Sequence, residues 1–539
     1  MNRGIVFILC CGVLTMLSCA KKEPSFPNRP EGYGTIIATI TDEQGNPTNA
    51  RVYAQGKDDS LYMADECLEY DRPGLVDMIG YTGRHFTTVG NTFTVHLPEG
   101  QAAVRLEKGK EFIPVNETIQ IKAGKSVEKK FVMKRWIDMN AMGWFSGDLH
   151  VHRDLDDLGA LLLTEDLNIA TPQTVWGHHL KNVSEEQKFQ QWLEKADSLG
   201  TMTVDKTHIF SVLSHEIERF VYSAVLLHHT GKSIMPVVEY NEKMLPNVPL
   251  FEMTHKAGGY VEEEKPWWPE SHIDIAAAHA ELVGIANNHF CYKGFLPEHP
   301  RHRDEFKSDY PAGVVGYTEY NLDLLYAYLN CGFKVMPSAG SASGVLPNPL
   351  GYNRMYVKVD GDFSYDAWFD AAVKGHSFVT NGPMLIMTVD NAQMGDTITA
   401  KGPSVHVACT INSIVPIDRL EIIVDGTCVN TTSPIDLKDN TAVIETDIPV
   451  SQTGWIAARC FEKIEDNVHF AQTSPVFVDV DGKPFVPKKY AVDYFLKKTK
   501  EVIEKSKTEK YPSEQVKKDF MKVYNKALSI YQGLAKKAK

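Results

Sequence analysis

The chain has 539 residues, too many for one hydrophobic core and enough for several domains. Its apolar fraction of 43% and charged fraction of 23% are ordinary for a globular protein and exclude an intrinsically disordered chain. The formal net charge of -13 argues against a nucleic-acid partner, because phosphate contacts need a basic face.

The chain begins "MNRGIVFILCCGVLTMLSCAKKEP", with Arg3, an apolar run from Ile5 to Leu17 and then Ser18-Cys19. That run is shorter than the roughly 20 residues of a membrane span, so residues 1–19 read as a signal peptide. The "LSC" followed by "AKKE" resembles a bacterial lipobox. On that reading Cys19 is lipidated and anchors the protein to a membrane of the bacterial cell envelope. The alternative is plain secretion. Residues 20–33 are polar and proline-rich, a tether.

Residues 34–136 alternate apolar and polar with glycine turns, as in "GTIIATITDEQGNPTNARVYAQ". Short strands with regular turns predict a β-sandwich resembling carboxypeptidase-regulatory or Ig-like modules. Residues 137–385 alternate apolar runs ("FSVLS", "SAVLLHH", "ELVGIANN", "FKVMPSAG") with amphipathic stretches such as "SEEQKFQQWLEKADSLG". Strand–helix alternation predicts an α/β unit with parallel strands, a β/α barrel or a doubly wound sheet. Residues 386–482 return to strand alternation and predict a second β-sandwich. Residues 483–539 are basic with apolar residues at helical spacing, and Tyr511-Pro512 divides them into two helices. Beyond the leader, Cys67, Cys291, Cys331, Cys409, Cys428 and Cys460 are scattered without a CxxC, which argues against a thiolate zinc site.

The chemistry concentrates in "MGWFSGDLHVHRDLDD", residues 142–157. On an extended strand Asp148, His150 and His152 share one face, with Leu149 and Val151 on the other. Two imidazoles aimed at one place point to a metal. Other polar groups follow predicted strands: His215, Glu216 and Glu218 after "FSVLS", His289 after "VGIANN", and the small-residue loop "SAGSASG" after "FKVMP". A lone histidine after a strand is usually a hydrogen-bonded or surface residue. The HxH pair and the recurrence at several strand ends are stronger signals.

"GDLHVH", with "SAGSASG", "GYNRMYV" and "FVTNGP" following in order, resembles the PHP (polymerase and histidinol phosphatase) metallohydrolases, in their CehA/McbA-like branch. The resemblance covers roughly residues 132–400. It implies a distorted β/α barrel and water-mediated hydrolysis of phosphoester, ester, carbamate or amide bonds at divalent metals. His150 and His152 match the first metal motif, and Glu216 the strand-end glutamate, with Glu218 on the same face as the alternative. The family's TDH motif is here Thr171–Gln173, "TPQ". Its His-Pro motif falls where Glu263, Lys265 and Trp267 stand, and Ala342 occupies the late aspartate position. The resemblance therefore implies one metal, zinc or manganese, held by His150, His152, Glu216 and His289. Asp148 would orient a ligand histidine or else cap the loop. His215 or Lys265 would donate a proton or stabilise an oxyanion. Trp267 would form a wall for the small-molecule substrate, and Arg354 would clamp an anionic group or else form a structural ion pair. The competing reading is a catalytically degenerate protein that binds a ligand, such as a glycan, without turnover.

Overall fold

The computed structural model describes residues 26–70, 79–176, 179–180, 186–219, 222–233, 245–296 and 303–539. The expected signal peptide, Cys19 and most of the tether lie outside the described residues. Among the described residues no helix is long and apolar enough to cross a membrane.

The first region is two sheets sharing one apolar core. Strand Tyr33–Asp42 pairs in parallel with Ser126–Arg135 and antiparallel with Thr92–Pro98. Arg51–Gln55 and Gly100–Glu107 pair antiparallel in a six-stranded sheet. Period-two alternation sends Ile36, Ala38 and Ile40 inward from one sheet, to meet Val52, Ala54, Val104 and Leu106 from the other.

In the middle region strand Trp144–Val151 is buried at every residue. It pairs in parallel with Ile169–Pro172 and antiparallel with Arg354–Lys358. Its twelve-stranded sheet runs on through Ser377–Thr380 to Phe470–Thr473, Gly454–Glu462 and Ile417–Val424. A seven-stranded sheet orders His179–Leu180, Val175–Trp176, His215–Arg219, Ser223–His228, Tyr260–Glu263, Leu282–Ala286 and Met336–Ala339. The two sheets approach at the isolated bridge Val151–Ser343.

This corrects the fold class expected for residues 137–385. The chain is mostly β, with several sheets and no closed barrel among the described residues. The physical reason is in the connections. "SAVLLH" returns directly after "HEIER" as an antiparallel hairpin, and then pairs antiparallel with Tyr260–Glu263. Among the described residues no helix intervenes between the first two of these runs, whose antiparallel pairing is not the parallel pairing a β/α crossover gives. Arg354–Lys358 likewise pairs antiparallel on both of its edges.

A four-stranded sheet, ordered Ala392–Gln393, Met384–Val389, Ser404–Asn412 and Thr441–Pro449, shares a core with the far half of the large sheet through Met387, Val407, Ile422 and Ile456. Helices Lys489–Thr508 and Glu514–Ala535 close the chain, the second capped by the Ser513 hydroxyl, which accepts from the Val516 amide at 3.2 Å. Their apolar faces dock on helix Ser271–Ala278. There the Tyr531 hydroxyl donates to the His272 carbonyl and the Tyr524 hydroxyl to Glu270, both at 2.7 Å. All six cysteines of the described residues are free thiols.

Candidate metal centre

The parallel register of Trp144–Val151 with its neighbour shifts between Asp148 and Val151. Across this irregularity His150 and His152 bring their Nε2 atoms to 2.9 Å from each other. Glu216, from strand His215–Arg219, places Oε2 3.2 Å from His152 Nε2 and 3.5 Å from His150 Nε2. Donor atoms bonded at about 2.0–2.1 Å to one centre stand about 2.9–3.4 Å apart for cis to tetrahedral angles. The 2.9 and 3.2 Å spacings fall in that range, and the 3.5 Å spacing of Glu216 to His150 lies just beyond it. All three side chains are buried, and Glu216 Oε2 and His152 Nδ1 have no hydrogen-bond partner among the described residues. A buried carboxylate is costly unless positive charge faces it, and here that charge is either a protonated imidazole or a cation bound between the three groups. This group can hold a metal ion.

Burial raises the cost of ionising Glu216, but the neighbouring His150 and His152 outweigh it and hold the carboxyl below its ordinary range. Burial disfavours protonated His150, yet the Glu216 charge prevails and lifts it to about 9. For His152 burial wins and the shift is downward. Without a metal the pair is thus one charged and one neutral ring around an ionised carboxylate, and a metal would take the place of the proton on His150, because a histidine ligand must be neutral.

A second ring of contacts supports these groups. Glu264, just beyond strand Tyr260–Glu263, places Oε1 3.5 Å from His150 Nδ1. The same oxygen accepts from Lys265, and the Trp268 indole donates to Glu264 Oε2 at 2.9 Å. Trp176 lies against His152 with ring centroids 4.5 Å apart and donates to Glu218 at 3.3 Å. Glu218, on the same face as Glu216, is raised by burial and by the Glu216 and Glu264 charges. Its carboxylate meets Trp176, and the closest acid to the imidazoles is Glu216.

The remaining expected site residues fall elsewhere. Asp148 accepts from the backbone amides of His150, Ser341 and Gly351 at 3.1, 3.0 and 2.8 Å, and from the Ser341 hydroxyl. It therefore ties the loop to the strand end, and the group facing the His150 ring is Glu264. Burial still pushes Asp148 up to about 6, against those hydrogen bonds. His215 alternates with Glu216 along its strand and points to the opposite face, where burial and then His228 push it down to about 3. It is a neutral interior histidine. His289 is outside the three-residue group; it stacks on Tyr317 at 5.5 Å and meets the edge of Trp267 at 5.6 Å. The Trp267 indole donates to the Tyr317 hydroxyl at 3.1 Å, so this tryptophan packs with Tyr317 and His289. Lys265 adjoins it through Glu264. Arg354 donates to the carbonyls of Gly351, Glu165 and Asp166 at 2.6, 3.1 and 3.4 Å and pins that loop.

Glu264 and Trp176 were not singled out in the sequence. The signal for Glu264 lay in "YVEEEK", where alternation puts Glu262 and Glu264 on one face at a strand end. Trp176 ends the two-residue strand Val175–Trp176, which is too short for alternation to show in the sequence.

No family model and no curated protein matches the chain. Two chains of solved structures match. One is the minor pilin GBS52 of the gram-positive pathogen Streptococcus agalactiae, with 10% identity over 20% of this chain and a TM-score of 0.15. The match spans 45% of that pilin's length, and a likeness this slight carries no argument about fold or function.

Proposed function

We propose that the protein is a metal-dependent hydrolase of a small ester, amide or carbamate, or phosphoester, acting in the cell envelope with zinc or manganese. The observation that carries this reading is the buried His150–His152–Glu216 group, with its donor atoms at ligand spacing. Such a metal, when bound, supplies Lewis acidity and makes water nucleophilic near neutral pH. The chain's own residues supply the rest. Glu264 Oε1 stands 3.5 Å from the outer nitrogen of His150, where its charge favours a proton and leaves Nε2 toward the centre. Lys265, held by Glu264 with its ammonium 5.2 Å from the Trp268 ring centroid, is the cation placed to stabilise negative charge on a substrate oxygen or to protonate a leaving group. Trp176 walls the His152 side.

Elemental analysis of purified protein tests the reading. The wild type should carry near-equimolar zinc or manganese, and a His150→Ala/His152→Ala variant should carry neither. Equal trace metal in both removes the proposal.

The second reading, binding without turnover, is favoured by two positions. Gln173 spends its amide nitrogen on the Leu149 and Thr171 carbonyls at 2.9 and 3.0 Å, and Ala342 has no donor atom to offer. Stoichiometric metal with no turnover across ester, carbamate and phosphoester panels would select it.

A further inference from the structure

A cleft of about 310 Å³ lies where the first β-region, the middle region and the last sheets meet. In a chain of net charge -13 it is lined by five cationic side chains, Arg51, Arg105, Lys110, Lys293 and Arg354, against three carboxylates. The carboxylates are already engaged. Glu107 binds Arg51, Arg105 and the Tyr292 hydroxyl, and Glu165 binds Arg51. Glu462 accepts from Ser413 at 2.7 Å and pairs with His469 at 2.8 Å. Lys110, Lys293 and Arg354 therefore face the cleft with no carboxylate within 4.0 Å among the described residues.

Lys110 is the sharpest case. Its ammonium has three donors, one of which goes to the Asn381 carbonyl at 2.7 Å while the group sits 4.8 Å from the Tyr352 ring centroid. Burial, and then the nearby Arg354 charge, push it down to about 7. The Glu462 charge pulls it up only in part, so near neutral pH the ammonium readily gives up its proton, and an anion beside it would hold the charge in place. Arg354 adds its charge without neutralisation, because its partners are carbonyl dipoles. The aromatic walls, Tyr352 and Trp136, leave room beside the cations for an organic group.

We propose that this cleft binds a small organic phosphate or sulfate, with the tetrahedral oxyanion on Lys110 and the organic group against Tyr352 and Trp136. The site is separate from the metal centre and does not depend on it.

Calorimetric titration of the full chain with sodium phosphate and with sodium sulfate, at constant ionic strength and with sodium acetate as control, tests this. One oxyanion should bind per chain, more tightly than acetate, and equally in wild type and in His150→Ala/His152→Ala. Lys110→Met, which keeps the volume and removes the charge, should weaken binding at least tenfold. Lys293→Gln, on the exposed rim, should weaken it about threefold and serves if the first variant does not fold. Three outcomes overturn the proposal: no binding to the wild type, loss of binding in the double histidine variant, or unchanged affinity in the lysine variants. The second of these would place the anion at the metal centre and leave the hydrolase reading standing.

Discussion

Gly340→Ala is the sharpest probe of the metal centre, because it alters no ligand. Gly340 lies directly against His150: a Cβ added there would stand 3.0 Å from the His150 amide nitrogen and 3.2 Å from its Cα, and would overlap its Cβ. The obstacle is backbone and strand, so no side-chain rotation relieves it. Restoring ordinary carbon–carbon contact of about 3.5 Å requires a relative shift of roughly 1 Å. Metal sites tolerate about ±0.2 Å in ligand distances, so His150 Nε2 leaves the position defined by its 2.9 and 3.5 Å spacings to His152 and Glu216. Overpacking of this kind costs about 1–3 kcal/mol of stability, and disturbing a ligand's support lowers metal affinity about 10–100-fold. Metal content after dialysis, a zinc titration against a chromophoric chelator and a urea melt followed by circular dichroism would read both effects. Gly159→Ala is the control. It sits in helix Leu155–Glu165 with nothing within 4 Å of the added carbon, and should be neutral or up to about 1 kcal/mol stabilising. If Gly340→Ala keeps wild-type zinc affinity and stability, the placement of His150 against this loop is not what forms the centre.

Three further predictions concern the centre, the Glu264–Lys265 pair beside it and the buried Asp274 of helix Ser271–Ala278. Glu216→Gln should lose metal in elemental analysis, whereas Glu218→Gln should retain it, since Glu218 meets Trp176 and not the imidazoles; the reverse result reassigns the ligand. Glu264→Ala leaves Lys265 buried and unpaired and should cost about 3–5 kcal/mol in denaturant unfolding. Adding Lys265→Met should recover part of that loss, and a purely additive double variant would deny the coupling. Burial, then Glu270, pushes Asp274 up to about 8, and its carboxyl takes a hydrogen bond from Asn247 at 2.6 Å. The folded form thus keeps a proton that the unfolded chain gives up near its ordinary value. Stability from this group is present at low pH and falls as pH rises toward 8, by at most about 1.4 kcal/mol per pH unit. Asp274→Asn should flatten the pH dependence of the melting temperature between pH 6 and 8; an unchanged slope would place the proton elsewhere.

The centre was legible where backbone geometry is local. Alternation alone puts His150 and His152 on one face, and the same rule pairs Glu216 with Glu218 and turns His215 away. It does not tell which side of a strand becomes the centre, so His215 read as well as its neighbour until the sheet was assembled. Asp148 and Arg354 were ambiguous for a different reason. Their partners are backbone groups at Gly351 and Ser341, or at Glu165 and Gly351, up to about two hundred residues away, and backbone groups leave no mark in a sequence. The barrel expectation failed at one junction above all. An apolar run after a short turn looks the same whether it pairs back as a hairpin or crosses over a helix, and "SAVLLH" pairs back.

The pairing of Ser377–Thr380 with Phe470–Thr473 carries a consequence for how the protein can be dissected. Excising residues 386–482 would not release an independent appendage. It would strip a row of amide and carbonyl partners from an internal strand and turn it into a raw sheet border, open to pairing with other chains. Fragments cut at that junction should therefore self-associate, and the catalytic and cleft experiments belong on the intact polypeptide.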